Sequence, residues 1–466
     1  MSSAAVHTYG SLAISDLDEF VFGRCPHPLS VGHGLQIGAG RVHPEINFTL
    51  PPTSITAATM PAVRDEYAAM VDEVCARAVA LQLPGLLVEF ELLPELTAAP
   101  EWGAELTATL RAALDRHHER HGLACALRVT PNDLREFVRP PLMRSGEKWE
   151  QMLRSFELCA DAGADLLAIE STGGKEVHDD ALLAGDLPGV AFALGVLAPR
   201  DMANLWERIV AVAASHDAIA SGDTACAFGN TAMVLAETHH IPRVWAAVIR
   251  VMTVARSLVA YECGAVGPSK DCAYEGPYIK AITGFPIALE GAEAACAHLS
   301  PVGNIARATA DLWSNESVAN VKLLGGMAPT VSLEQLGYAT RLMNTASARG
   351  QALVLRDLFV ASDASLDPQA HVLRPDVVLE LAGAIVEEPT PYLRVRRAAL
   401  ETLASLRDAH AAGELALARA ELTWLARLSA AADELPEDEQ TLIESVCAAL
   451  DLGKVRLADY DLPERG

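Results

Sequence analysis

The stretch Asp165-Leu166-Leu167-Ala168-Ile169-Glu170 is a short apolar run closed by a carboxylate. Its length fits a strand, and its lack of polar alternation fits one covered on both faces, as in a parallel sheet. Runs of the same kind recur on either side. Leu86-Leu87-Val88-Glu89-Phe90-Glu91 and Leu123-Ala124-Cys125-Ala126-Leu127-Arg128-Val129 precede it. Val190 to Val196, Ala218 to Gly222, Ala260 to Val266, residues 283–289 and Val321 to Leu324 follow it. Helical spacing separates them, as at Pro61 to Leu81 and over residues 103–121, 145–162 and 199–215. Eight such units over 61–360 read as a closed (β/α)8 barrel of the TIM type, an α/β fold, with an open doubly wound sheet as the alternative.

The flanks differ from this centre. Residues 1–60 are rich in Gly, Pro and His and read as an irregular N-terminal wrap. Within them Gly32-His33-Gly34-Leu35-Gln36-Ile37-Gly38 approaches a dinucleotide fingerprint, but Ile37 stands where a glycine is needed and no strand is read before it. Residues 361–466 are dominated by Ala, Leu, Glu and Arg, with Pro389, Pro391 and Pro436 as breaks. This is the pattern of a helical C-terminal subdomain of three or four helices, suited to packing and partner contact.

Of 466 residues, Lys and Arg number 36 and Asp and Glu 61, for a formal charge of −25. So acidic a chain repels phosphate backbones, which argues against nucleic acid as its partner. The nine cysteines are scattered, with no CxxC pair, as expected of reduced thiols rather than a secreted disulfide framework. The opening MSSAAVHTYGSL lacks a basic start and an apolar core, and no run of about 18 apolar residues occurs. The expectation is a cytoplasmic protein with no membrane span.

On the barrel reading three residues fall at C-terminal strand ends, where barrel active sites lie. Glu170 ends its strand, Cys226 follows the strand ending at Gly222, and Cys272 follows the one ending near Val266. Two thiolates and a carboxylate form a three-ligand zinc set with a fourth position for substrate, and soft sulfur selects zinc over magnesium or calcium. The plain alternative is that they are ordinary loop residues. Cys75, Cys125, Cys159, Cys263, Cys296 and Cys447 sit in helical or strand contexts and read as core.

Three segments resemble the zinc-containing methanol–corrinoid methyltransferases. They are Ile169-Glu170-Ser171-Thr172-Gly173-Gly174-Lys175-Glu176-Val177-His178-Asp179, Ser221-Gly222-Asp223-Thr224-Ala225-Cys226-Ala227-Phe228-Gly229-Asn230 and Ser269-Lys270-Asp271-Cys272-Ala273-Tyr274-Glu275-Gly276-Pro277. The likeness runs along most of the chain, including Pro44-Glu45-Ile46-Asn47-Phe48. It implies a (β/α)8 barrel with zinc on Glu170, Cys226 and Cys272. It also implies transfer of the methyl group of methanol to Co(I) of a corrinoid on a separate protein, and a homodimer associated with corrinoid subunits. Hydroxide is a poor leaving group, so an acid near the oxygen would assist. Asp223, Asp271 and Glu275 stand close to the ligands in sequence and are the candidates. Cobalamin-binding modules commonly carry Asp-x-His-x-x-Gly; Asp115-Arg116-His117-His118-Glu119-Arg120 puts arginine in the glycine position and reads as a charged helix face. A corrinoid-binding protein would therefore dock over the barrel rim.

Other residues carry less. His239-His240 and His117, His118 and His121 are metal candidates in exposed helical contexts. Lys175 and Lys280 are Schiff-base candidates only if buried. Leu324-Gly325-Gly326-Met327-Ala328-Pro329 is either a close ligand approach or a tight turn. No P-loop, HExxH or GxSxG occurs. The rival functions are the same transfer from another donor such as an aromatic methyl ether, a non-catalytic docking barrel, and a metal-free lyase.

Overall fold

The computed structural model describes residues 8–49, 54–270, 272–318 and 321–463. Seven parallel strands form its central sheet in the order β7-β6-β5-β4-β3-β9-β8. They are β3 (His43–Thr49), β4 (Leu86–Glu91), β5 (Cys125–Thr130), β6 (Leu166–Ile169), β7 (Ile219–Asp223), β8 (Ala288–Glu290) and β9 (Leu312–Val318). The stretch 266–270 spans the two edges. Val266 N–H donates to the Ala220 carbonyl of β7, and Ala288 N–H of β8 donates to Ser269 O. Ser269 also makes a parallel bridge to Ile287. The ring thus has an eighth, irregular stave, and helices pack around it in the manner of a TIM barrel.

Two staves differ from the sequence reading at the ends of the ring. The first, β3, lies inside the segment read as irregular, and the last, β9, replaces the Val321–Leu324 run. The latter contributes Lys322–Leu323 to a small antiparallel hairpin with Gly326–Met327, whose turn leaves Leu324 fully exposed. Val190 to Val196 is helical, running from Leu187–Phe192 through a π turn at Ala193–Leu197 into Ala198–Ser215. Every residue from Gly189 to Ala198 is buried, and a helix covered all round carries the same apolar run as a buried strand. Ala260 to Val266 begins as the end of the helix Val254–Glu262 and continues as a turn into the irregular stave.

The glycine-rich stretch near the start is part of a hairpin, β1 (Arg24–Val31) with β2 (Leu35–Ala39). It closes the base of the barrel. Val31, Leu35 and Ile37 form one apolar cluster with Leu87, Ala126, Leu166, Ala288 and Leu312, the inward residues at the starts of five strands. His33 N–H donates to Cys125 O at 2.7 Å. At Gly32, with φ +53°, any Cβ would collide with the Cys125 carbonyl and Ala126, so this turn requires glycine.

Strand alternation then changes the character of the interior. Two residues above the apolar layer the corresponding positions are Glu89, Arg128, Ala168, Glu290 and Ser314. Two further on are Glu91, Thr130 and Glu316. Arg128 pairs with buried Glu45 at 2.7 Å, and Thr130 Oγ1 donates to Glu89 Oε1 at 2.7 Å. The barrel therefore runs from hydrocarbon at its base to carboxylates at its mouth.

After residue 367 the described chain is helical, with main helices Pro375–Val386, Pro391–Ala411, Arg419–Asp433 and Glu439–Cys447. Pro391–Ala411 and Arg419–Asp433 pack on the stretch Arg243–Glu262, which has the length and composition of a membrane span but is entirely buried within the protein, while Pro375–Val386 packs on the helix Gly276–Thr283 and Glu439–Cys447 on Leu187–Phe192. The tail returns to the barrel. Gly174 N–H donates to Tyr460 Oη at 3.0 Å, and Met143 N–H to Asp459 Oδ2 at 2.9 Å.

Leu35→Ala, which empties part of the basal layer, is expected to cost about 2–5 kcal/mol. Urea denaturation measures it; an unchanged midpoint would show that the hairpin does not belong to the core.

Candidate metal centre

Glu170 follows the last residue of β6 at the mouth of the barrel. The turn that carries it is fixed from behind. Thr172 donates through both N–H and Oγ1 to Asp133 Oδ2, each at 2.9 Å. Ser171 N–H donates to Asp223 Oδ1 at 3.3 Å. Gly173 sits against the Asp201 carboxylate, where a Cβ would overlap it. Asp133 and Asp201 are in turn bound to the buried Arg135 guanidinium, at 2.8 and 2.7 Å.

Cys226 opens a π turn, Cys226–Asn230, directly beyond β7. Asn230 Nδ2 donates to its sulfur at 3.6 Å. Cys272 lies just beyond the irregular stave, with its Sγ 3.7 Å from Glu170 Oε1. The two cysteines are joined as a disulfide, with Cα atoms 5.4 Å apart. One donor atom from each of Glu170, Cys226 and Cys272 falls within 4.8 Å of the others. Metal bonds of about 2.0–2.3 Å in a tetrahedron put ligand atoms about 3.6 Å apart, the spacing that Cys272 Sγ and Glu170 Oε1 already have; with the disulfide reduced and the sulfurs parted, the trio offers a zinc ion its donor chemistry.

Lys270, part of the segment quoted with Cys272 but not singled out from sequence, is the cation of the site. Its Nζ lies 2.7 Å from Glu170 Oε1, 2.7 Å from Glu91 Oε2 and 3.9 Å from Glu89 Oε1. Although burial opposes its charge, these carboxylates hold its pKa well above the ordinary lysine value. Burial pushes the Glu170 carboxyl up, and Lys270 opposes that rise.

These groups border a cavity of about 200 Å³ at the C-terminal strand ends. Its other walls include Asn47, Glu89, Glu91, Ser314 and the trio Glu290, His298 and Glu316. No Phe, Tyr or Trp side chain lines it among the described residues. Sequence reading missed the trio because Glu316 lies on an unrecognised strand and His298 follows a helix of six residues; the apolar Ala288-Leu289 closed by Glu290, as the β6 run is closed by Glu170, was the available signal.

The expected proton donors are placed differently. Asp223 accepts from Trp206 Nε1 at 2.9 Å and pairs with Arg256 at 2.8 Å. Glu275 accepts from Ala225 N–H at 2.7 Å and Ser257 Oγ at 2.8 Å. Both are buried and neither borders the cavity; they brace the loops bearing Glu170 and Cys226. Asp271 lies outside the described residues. The remaining candidates also stand away from the cavity. Lys280 is buried, bound to Asp311 at 2.9 Å and to two carbonyls. Lys175 pairs with Asp179 on its own helix. His117 faces Asp72, His118 the Leu123 carbonyl, and His121 lies near His117. His239 and His240 occupy an exposed turn.

Arg256→Met strips buried Asp223 of its counter-charge and is expected to cost about 3–5 kcal/mol. An unchanged denaturation midpoint would show that Asp223 does not depend on that charge.

Residues 6–461 match the methanol–cobalamin methyltransferase B subunit family. The chain is 39% identical over 438 residues to the methanol–corrinoid protein co-methyltransferase of Methanosarcina barkeri, covering 93% of this chain and 94% of that one. It is also similar to a chain in the crystal structure of the methanol:cobalamin methyltransferase complex MtaBC from Methanosarcina barkeri. There the TM-score is 0.93 and the identity 37%, covering 97% of this chain and 99% of the other. By the length of this match and the identity with its relative, the chain belongs to the methanol–cobalamin methyltransferase B subunit family.

Proposed function

We propose that this chain transfers the methyl group of methanol to the Co(I) corrinoid of a separate protein, with zinc held by Glu170, Cys226 and Cys272. The observation that carries the proposal is the convergence of those three donors at the mouth of the barrel in a member of this family. Zinc bound there would supply a Lewis acid to stabilise charge on the alcohol oxygen as the C–O bond breaks.

The protein's own groups prepare the reaction. Lys270 fixes one Glu170 oxygen, which orients the carboxylate and offsets the density of negative charge around it. Asp133, Asp223 and Glu275 hold the turns from which the ligands project. The small polar cavity confines an alcohol near the three donors. Its volume, and the lack of Phe, Tyr or Trp among the described residues of its wall, favour methanol over an aromatic methyl ether, whose ring needs a larger apolar surface. The mouth is where a corrinoid carrier would dock and exclude water. A homodimer associated with corrinoid subunits belongs to this reading on family resemblance.

Cys226→Ala and Cys272→Ala are each expected to lose bound zinc, as measured by elemental analysis of the purified proteins. Methylation of Co(I) corrinoid protein, followed by its absorbance, is expected with methanol and not with methoxylated aromatics. Full zinc occupancy in both variants would remove the proposed site, and turnover of the aryl ethers alone would replace the donor.

A further inference from the structure

Glu290, His298 and Glu316 share the cavity with the proposed ligands but pair among themselves. Glu290 ends β8, Glu316 lies in β9, and His298 follows the helix Ala292–Ala297 that connects toward it. His298 Nδ1 stands 3.1 Å from Glu290 Oε2, and Nε2 stands 3.7 Å from Glu316 Oε2. The Tyr274 hydroxyl also reaches Glu290 Oε2, at 3.4 Å. Nδ1 is within hydrogen-bond distance of Glu290, while Nε2 is within ion-pair but beyond hydrogen-bond distance of Glu316, so the two carboxylates favour the imidazolium and leave its Nε2–H available to an acceptor in the cavity. The three side chains are also close enough to share an ion. One ion, however, takes one ring nitrogen, whereas here the two nitrogens address different carboxylates. The arrangement favours a clamped, protonated ring over a second metal.

We propose that His298 is the acid that protonates the departing oxygen of methanol, with Glu290 and Glu316 presenting its ring to the cavity. This rests on the function proposed above. The C–O bond breaks and its electron pair stays on oxygen, which takes the His298 proton and leaves as water. The methyl group bonds to cobalt through the electron pair of Co(I), which becomes Co(III). His298, now neutral, regains a proton from solvent by way of Glu316, whose side chain is 36% exposed against 9% for Glu290.

The charged groups around the ring are Glu290 from β8, Glu316 from β9, Glu170 and Glu91 at greater distance, and Lys270 among them. The Glu290 hydrogen bond raises the His298 pKa above the ordinary value, and the ring's partial burial works against it. A raised value keeps the ring charged at neutral pH, and the proton is lost as pH rises through that value. Methanol turnover should therefore fall on the alkaline side.

The test uses the full-length, zinc-loaded protein with Co(I) corrinoid partner. His298→Gln is expected to slow methanol-dependent cobalt methylation about 10²–10⁴-fold, to abolish the alkaline limb, and to leave zinc content unchanged. Glu316→Gln, which keeps the ring, is expected to move that limb to lower pH and covers the case in which His298→Gln fails to fold. Ring NMR, assigned by the signal missing in His298→Gln, is expected to show titration above the free-histidine value. A near-wild-type rate with an unchanged pH profile, or a ring that titrates below the free value, would overturn the proposal. Wild-type protein that cannot methylate cobalt from methanol would instead overturn the underlying function and His298's role with it.

Discussion

A barrel that lines its mouth with carboxylates must supply positive charge to match them, and the rest of the site follows from that requirement. Like charges held close in a poorly hydrated space cannot all ionise unless cations stand between them. Arg128 meets Glu45 deep in the barrel. Higher up, Lys270 stands among Glu89, Glu91 and Glu170, and His298 between Glu290 and Glu316. These groups hold one another in place, so the cavity is shaped before any substrate arrives. A divalent ion on Glu170 and two thiolates would extend the same compensation.

This inversion of the usual apolar interior also decides how much of the fold was legible. β4, β5, β6 and β7 carry enough consecutive apolar residues to be read directly, and the (β/α)8 class followed from them. β3 and β9 do not. Their inward positions include His43, Glu45 and Asn47, and Ser314 and Glu316, so apart from Leu312 at the base the apolar residues, such as Ile46, Phe48 and Trp313, lie on the outward faces. Val190 to Val196 failed in the opposite sense, because burial on every side erases the helical period. The eighth stave could not be read as a strand because it forms only one regular bridge.

The site was legible where chemistry and strand ends coincide. Glu170, Cys226 and Cys272 could be singled out because each closes or follows a recognisable run. Distance along the chain misled at Asp223 and Glu275. Both adjoin the ligand loops in sequence, yet they turn away from the cavity into buried pairs with Arg256, Trp206 and Ser257. Lys270 and His298 were missed because their meaning depends on carboxylates contributed by other strands. That information exists only once the ring is closed.

The hairpin of β1 and β2 has a consequence for traffic. With Val31, Leu35 and Ile37 stoppering the base, the cavity among the described residues opens at the mouth of the barrel. On the proposed reaction, alcohol must enter and water must leave through the same opening that the cobalt carrier covers. Arrival and departure then become a queue: methanol enters before the lid is seated, and the spent oxygen waits until it lifts.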